Sequence, residues 1–240
     1  GTVMVAEALA LIGVALLVFV LLVTIYVATS RYKLAPSDQI LVVYGNVKDK
    51  GSAACYHGGG KIVWPLIQHY AYLNLKPMTI SIDLEHALSQ QNIRINVPST
   101  FTIGISTQPS VMQNAAERLL GLEQGPIEDM AKEIIFGQLR LTVASLTIEQ
   151  INQDREAFLE KVSTNVDTEL HKIGLYLINV NITDITDEAD YIASIGAKAA
   201  AVAIADATVD RAEAARDGAV GQAAADRDRE IEVAKAEAEA

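Results

Sequence analysis

An α+β body set between two helical extensions is what this sequence predicts, and three observations predict it. A charge-free apolar run occupies residues 8–30, alternating β-type segments give way to helical spacing through the middle, and alanine dominates the end. The expected organisation is a transmembrane anchor at 1–30, a body of sheet and helices at 31–186 and a long coiled-coil helix at 187–240. Within the body, two subdomains are expected to divide near residues 85–92.

The anchor comes first. Roughly 20 helical residues cross a hydrocarbon core of about 30 Å, and the run containing Leu9, Leu16, Phe19 and Leu22 is long enough. Tyr26 closes it where amphipathic rings sit at a membrane interface, and Arg31 and Lys33 follow at once. A cleaved signal peptide would want basic residues before a shorter apolar run; here Glu7 is the only charge before Arg31. The two cations predict a single pass with the body in the cytoplasm and the short N-terminus outside. The sequence opens on Gly1 and reaches Ala240 still in a helical pattern, so flanking residues are expected.

Strand signals follow. Ile40-Leu41-Val42-Val43-Tyr44 is rich in β-branched residues and stops at Gly45-Asn46. Lys48-Asp49-Lys50-Gly51 reads as a turn and His57-Gly58-Gly59-Gly60 as a loop. The apolar segment Ile62, Val63, Trp64, Pro65, Leu66, Ile67 reads as a further β segment, then Tyr70–Leu75. Because so few residues join anchor to body, Ile62, Val63, Trp64, Leu66 and Ile67 are candidates for contact with the membrane interface, against ordinary core packing. Met78–Leu84 and Ile93–Ile105 alternate strictly, with Pro98 marking a bulge or an edge.

Helical spacing takes over at Val111–Leu120, after Pro109-Ser110. Ile127, Met130, Ala131, Ile134 and Ile135 continue it, and Thr147-Ile148-Glu149-Gln150 has the form of a capping box. Phe158, Leu159, Val162, Val166, Leu170 and Ile173 make an apolar stripe that ends at Gly174, a C-cap position. Alternation returns at Ile178–Thr183. Strands, helices and a closing strand describe helices on one side of a sheet.

From Asp187 the chain is a helix former throughout, about 80 Å long if fully helical. Val209, Val220 and Ile231 are spaced by 11, as are Asp206, Asp217 and Asp228, and Arg216 and Arg227. Upstream, Ile192, Ile195, Ala199 and Val202 step by 3, 4 and 3. An 11-residue period favours straight or right-handed bundles, so Ile192, Ile195, Val202, Val209, Val220 and Ile231 are expected to mediate self-association. A solvated single helix held by ion pairs is the alternative.

Composition narrows the function. A formal charge of −11 leaves no basic stripe for nucleic acid. One cysteine, Cys55, cannot form a disulfide within the chain. His57-Gly58-Gly59-Gly60 has the form of an oxyanion-hole loop, but the Gly-x-Ser-x-Gly elbow it would serve is missing, and Gly104-Ile105-Ser106 does not complete one. Gly58-Gly59-Gly60-Lys61 lacks the spacing and the Ser/Thr of a phosphate-binding loop. His57, His69, His86 and His171 are scattered, with Asp83-Leu84-Glu85-His86 expected to be a solvated hairpin end. Glu128, Asp129 and Glu133 read as the wet face of a helix. No catalytic residue, metal ligand or cofactor site is expected; a membrane-bound hydrolase using His57 is the weakest alternative.

Several stretches are familiar as a set: Gly58–Gln68, Asn92–Thr102, Met112–Ala116, Gly174-Leu175 leading to Asn181–Ile185, and the Ala/Glu-rich helix beginning near Tyr191-Ile192. Together they resemble the bacterial flotillins of the stomatin/prohibitin/flotillin (SPFH, or band 7) superfamily over essentially the whole chain. The resemblance implies an SPFH domain at 31–186 and a non-enzymatic, membrane-anchored scaffold. Such scaffolds form large homo-oligomeric rings or cages on the cytoplasmic face of the bacterial inner membrane and organise microdomains. Implied partners are other copies of the chain, membrane lipid and an NfeD-type membrane protein. Prohibitin-like relatives imply an alternative, a regulatory ring subunit confining a membrane protease.

Overall fold

The computed structural model describes residues 2–46 and 53–239. The turn expected at Lys48-Asp49-Lys50-Gly51 lies outside the described residues. The chain forms two compact units, 1–186 and 187–240.

The first unit opens with helix α1, Thr2–Arg31, which is long and apolar enough to cross a membrane. Three hydroxyls near its C-terminal end are satisfied within the helix: Thr24 Oγ1 donates to the Val20 carbonyl, Thr29 Oγ1 to that of Ile25 and Ser30 Oγ to that of Val27. Hydroxyls bonded in this way need no water in hydrocarbon.

No linker separates α1 from the body. Strand β1, Tyr32–Leu34, starts at the next residue. Strands β2 (Gln39–Gly45), β3 (Ala53–His57), β4 (Gly60–Ile62) and β5 (Gln68–Asn74) follow. An antiparallel sheet of order β3-β2-β5 carries β2 at its centre, and β1 pairs separately with β4. Ile40, Leu41, Val42 and Val43 are all buried, as the unbroken apolar run of a central strand requires. Leu41, Val43, Ala35 and Val63 form one core cluster, with Tyr56 packed on it.

Two longer strands, β6 (Met78–Leu88) and β7 (Arg94–Ile105), make the main hairpin. Helices α2 (Pro109–Leu119), α3 (Gln124–Ala144), α4 (Ile148–Gln153) and α5 (Arg155–His171) precede β8, Leu175–Ile182, which pairs with β7. The sheet order is β6-β7-β8, with α3 packed on β6 and α5 on β8. Alternate residues of β6 and β7, among them Ile80, Ile82, Val97 and Phe101, are buried in the core they share with Ile135 and Leu139 of α3 and Phe158 and Val162 of α5. Thr147 and Gln150 complete the capping box at α4. Gly174, at φ +89°, turns the chain from α5 into β8; a Cβ there would lie 2.2 Å from the Ala115 backbone.

Three sequence expectations are corrected. Only Ile62 of the Ile62–Ile67 segment is a strand residue; Pro65–Ile67 form a turn closed by the Gln68 amide on the Trp64 carbonyl at 2.9 Å. Asp83–His86 is not a hairpin end but the middle of β6, where a bulge falls between Leu84 and Ala87. His86 sits there at φ 55°, its amide bonded to Asn96 Oδ1 at 2.9 Å. The subdomain division expected near 85–92 falls inside the β6–β7 hairpin, whereas the change of sheet comes between β5 and β6, at 75–77. Pro98 in β7 faces Asp83 of β6 and lies one residue beyond the ladder with β8, where its missing N–H costs nothing.

The second unit contains helix α6, Tyr191–Ala238. The helix starts later than Asp187, which instead caps it: its carboxylate accepts from the amides of Tyr191 and Ile192.

Candidate membrane-contact site

The end of α1 and the loop after β4 form one structure. Tyr32 pairs with Ile62, Lys33 with Lys61 and Leu34 with Gly60. The Val63 amide donates to the Arg31 carbonyl at 3.1 Å, so the ladder runs straight into the last turn of α1. Gly60 lets the Tyr32 ring lie close over the strand: a Cβ there would lie 2.2 Å from the ring and displace it. On the far side the loop is tied down by the Asn46 amide on the Ile67 carbonyl at 3.0 Å and by Gln68, whose Nε2 donates to the Asn46 carbonyl and whose Oε1 accepts from the Trp64 amide.

This fixed loop presents apolar side chains outward. Val63 turns into the core at 5% exposure, but Trp64 is 65% and Leu66 95% exposed, with Ile62, Ile67, Tyr32 and Leu34 also exposed. Of the five expected interface residues, then, Val63 packs inside and the other four face out. Between them and Val23, Thr24, Val27 and Ala28 of α1 runs an apolar groove of about 650 Å³. Scattered apolar residues on a surface need no explanation, whereas a contiguous set beside an apolar helix marks an interaction surface.

One end of the groove is basic. Arg31 lines both the groove and an adjoining recess of about 180 Å³ formed with Lys33, Gln68, His69 and Tyr70. Lys33 Nζ lies 4.8 Å from the centre of the Tyr70 ring and Lys61 Nζ 5.4 Å from that of Tyr56. The expected anchor residues Leu9, Leu16, Phe19, Leu22 and Tyr26 are all exposed along α1. Lys61, Tyr32 and Gly60 had no part in the sequence reading of this site. The β1–β4 pairing that recruits them skips over two intervening strands, and no local pattern announces it.

The histidines lie on separate elements: His57 on β3, His69 on β5, His86 on β6 and His171 on α5. His69 stacks near Tyr44 with ring centres 5.6 Å apart, and His171 Nε2 is 3.4 Å from Asp167. Gly58 and Gly59, both at φ +78°, form the tight β3–β4 turn, with the Gly59 carbonyl accepting from the Ala35 amide at 2.8 Å.

On α6, Val202, Val209, Val220 and Ile231 are exposed, and Ile192 and Ile195 half-buried. Eleven residues make three turns plus about 20°, which keeps Val209, Val220 and Ile231 close to one face. Arg216 pairs with its own neighbour Asp217 at 3.2 Å, and Arg227 with Asp228 at 3.5 Å, one repeat later. By length and composition α6 also passes as a candidate membrane span, though charged residues recur from Asp206 onward.

A family profile described as SPFH domain / Band 7 family matches residues 33–216, most of the chain. The chain belongs to the SPFH domain / Band 7 family. Within that family its similarity is to flotillins. It is 28% identical over 213 residues to the Flotillin-like protein FloT of Bacillus subtilis (strain 168), covering 85% of this chain and 42% of that protein. Human Flotillin-2 is 27% identical over 186 residues, 78% of this chain and 44% of the relative. Flotillin-1 of Drosophila melanogaster is 27% identical over 185 residues, 74% and 43%. The chain therefore spans less than half the length of these flotillins, and the match takes in the SPFH body.

Proposed function

We propose that this SPFH protein is a membrane-bound, non-enzymatic scaffold, held by α1 in the bacterial inner membrane with its body on the cytoplasmic side, that gathers copies of itself into large rings or cages and so organises membrane microdomains. The observation that carries the reading is the unbroken passage from α1 into a rigid apolar ledge at Ile62–Ile67. It supports a body seated on the bilayer rather than tethered at a distance. Arg31 and Lys33 at the end of α1 support the cytoplasmic orientation, since cations are retained on that side. Flotillin relatives support the scaffold role.

The 11-residue register of α6 supplies the assembly logic. Each alanine-rich seam is weak, but copies fixed in one membrane meet at high effective concentration, and many seams add up. Neighbours related by rotation make a heterologous contact that closes into a ring when the angle permits.

Extraction of the native protein in mild detergent, followed by imaging of the particle, tests the proposal. A large homo-oligomer is expected, with or without a small membrane protein of the NfeD type. A co-purifying protease would assign the ring a confining role, and a monomer with esterase activity would refute the scaffold.

A further inference from the structure

The groove beside α1 and the recess at Arg31 share three residues, Arg31, Val63 and Pro65. One is apolar and runs along the helix; the other is polar and basic. We propose that together they bind a single anionic phospholipid of the surrounding leaflet, with one acyl chain along Val23, Val27, Ile62 and Trp64 and the phosphate at Arg31 and Lys33. The proposal rests on the membrane-seated reading of the Ile62–Ile67 ledge and adds a ligand to it.

Charge decides the class of lipid. Lys33 and Lys61 are direct cross-strand partners in the β1–β4 ladder. Like charges placed directly opposite destabilise a strand pair, and among the described residues no acidic side chain forms an ion pair with Arg31, Lys33 or Lys61. A phosphate bound there supplies the missing counter-charge. A zwitterionic headgroup brings its own cation and offsets less. Basic pockets beside membrane helices on the cytoplasmic side are suited to anionic headgroups for this reason.

Volume and position agree. A space of about 650 Å³ lies within the range of about 300–1,000 Å³ usual for ligand sites. The cations stand where the apolar run of α1 ends, the depth at which phosphates lie. Gln68, which lines the recess, is held by the hydrogen bonds that fix the loop, so this wall of the site is in place before a lipid arrives.

Trp64 is the only tryptophan of the chain and lines the groove, which makes it the reporter. The full chain is reconstituted in phosphatidylcholine bilayers that contain a small fraction of chain-brominated lipid, either phosphatidylglycerol or phosphatidylcholine. Several-fold stronger quenching of Trp64 by the brominated phosphatidylglycerol is expected, and K33Q, which leaves Arg31 to orient the anchor, should weaken the preference. Equal quenching by both lipids, or a preference that K33Q leaves unchanged, would overturn the proposal while leaving the ledge in the leaflet. Bilayers made wholly of brominated phosphatidylcholine separate the two ideas: without quenching there, the seated ledge itself fails. A photo-crosslinker at Leu66 that captures the α1 of a second chain in place of lipid would assign the groove to a neighbouring copy and overturn lipid binding.

Discussion

The Val63 amide donates to the Arg31 carbonyl across 3.1 Å, joining the loop after β4 to the last turn of α1. The final carbonyls of a helix have no partner within it; here one is satisfied by the body's own backbone. The bond sets the depth of the ledge relative to the anchor, because α1, β1 and β4 then form a continuous hydrogen-bonded unit. Anchor, ledge and cations are placed together rather than each by its own side chain.

Neighbouring residues of the ledge should respond in opposite ways. Val63→Asp puts a charge into the cluster of Ala35, Leu41 and Val43 and should destabilise the first sheet by several kcal/mol. Leu66→Asp, at the most exposed position, should change stability by less than about 0.5 kcal/mol, yet reduce bromolipid quenching of Trp64. Thermal unfolding of the detergent-solubilised chain reads the first effect, and fluorescence in bilayers the second.

Orientation is open to direct labelling. In a Cys55→Ser background, cysteine placed at exposed Glu85 on β6 should resist a membrane-impermeant maleimide in intact cells and react after permeabilisation. Reaction from outside would reverse the assigned topology.

Two glycines are held by close approach rather than by flexibility. Gly60→Ala must displace the Tyr32 ring, a movable side chain, whereas Gly174→Ala meets the Ala115 backbone and also forces alanine into a positive φ. We expect Gly174→Ala to cost more than about 1 kcal/mol and Gly60→Ala to cost less, with denaturant midpoints ranking them in that order.

A bulge in β8 provides a third comparison. Register shifts between Thr102 and Ile103 of β7, and the Leu177 amide is taken by Asp167 Oδ1 at 2.8 Å. Asp167→Ala leaves that half-buried amide without its partner and should cost about 1–3 kcal/mol. Asp167→Asn keeps an acceptor oxygen and should recover much of the loss in the same unfolding measurement.

These residues also show what the sequence discloses. The anchor, the alternating strands, the Thr147 capping box and the Gly174 stop are local signals, each carried by a period or a cap within a few residues, and each appears in the fold where its pattern lies. Lys33 and Lys61, Tyr32 and Gly60, and Asp167 and Leu177 are not local; their contacts depend on which strands pair and where a bulge shifts the register. The Ile62–Ile67 segment is β-like in composition yet leaves the strand after Ile62. Pro65 lacks an amide for a ladder, and the Trp64 carbonyl is used to close a turn instead. Likewise Asp83–His86 has the composition of a turn yet continues β6, because Asn96 on the facing strand satisfies the bulged amide of His86.

Assembly through α6 is the central claim, and the double variant Val209→Asp with Val220→Asp tests it most directly. Both positions are exposed in the single chain, so the change should leave the helix and the SPFH body folded while placing like charges in every seam. Particles extracted in mild detergent should break down from the large assembly to small species, seen by electron microscopy and size-exclusion chromatography, with the circular dichroism unchanged. Full-sized particles from the double variant would contradict the account and move the assembling contacts away from the Val209–Val220 face.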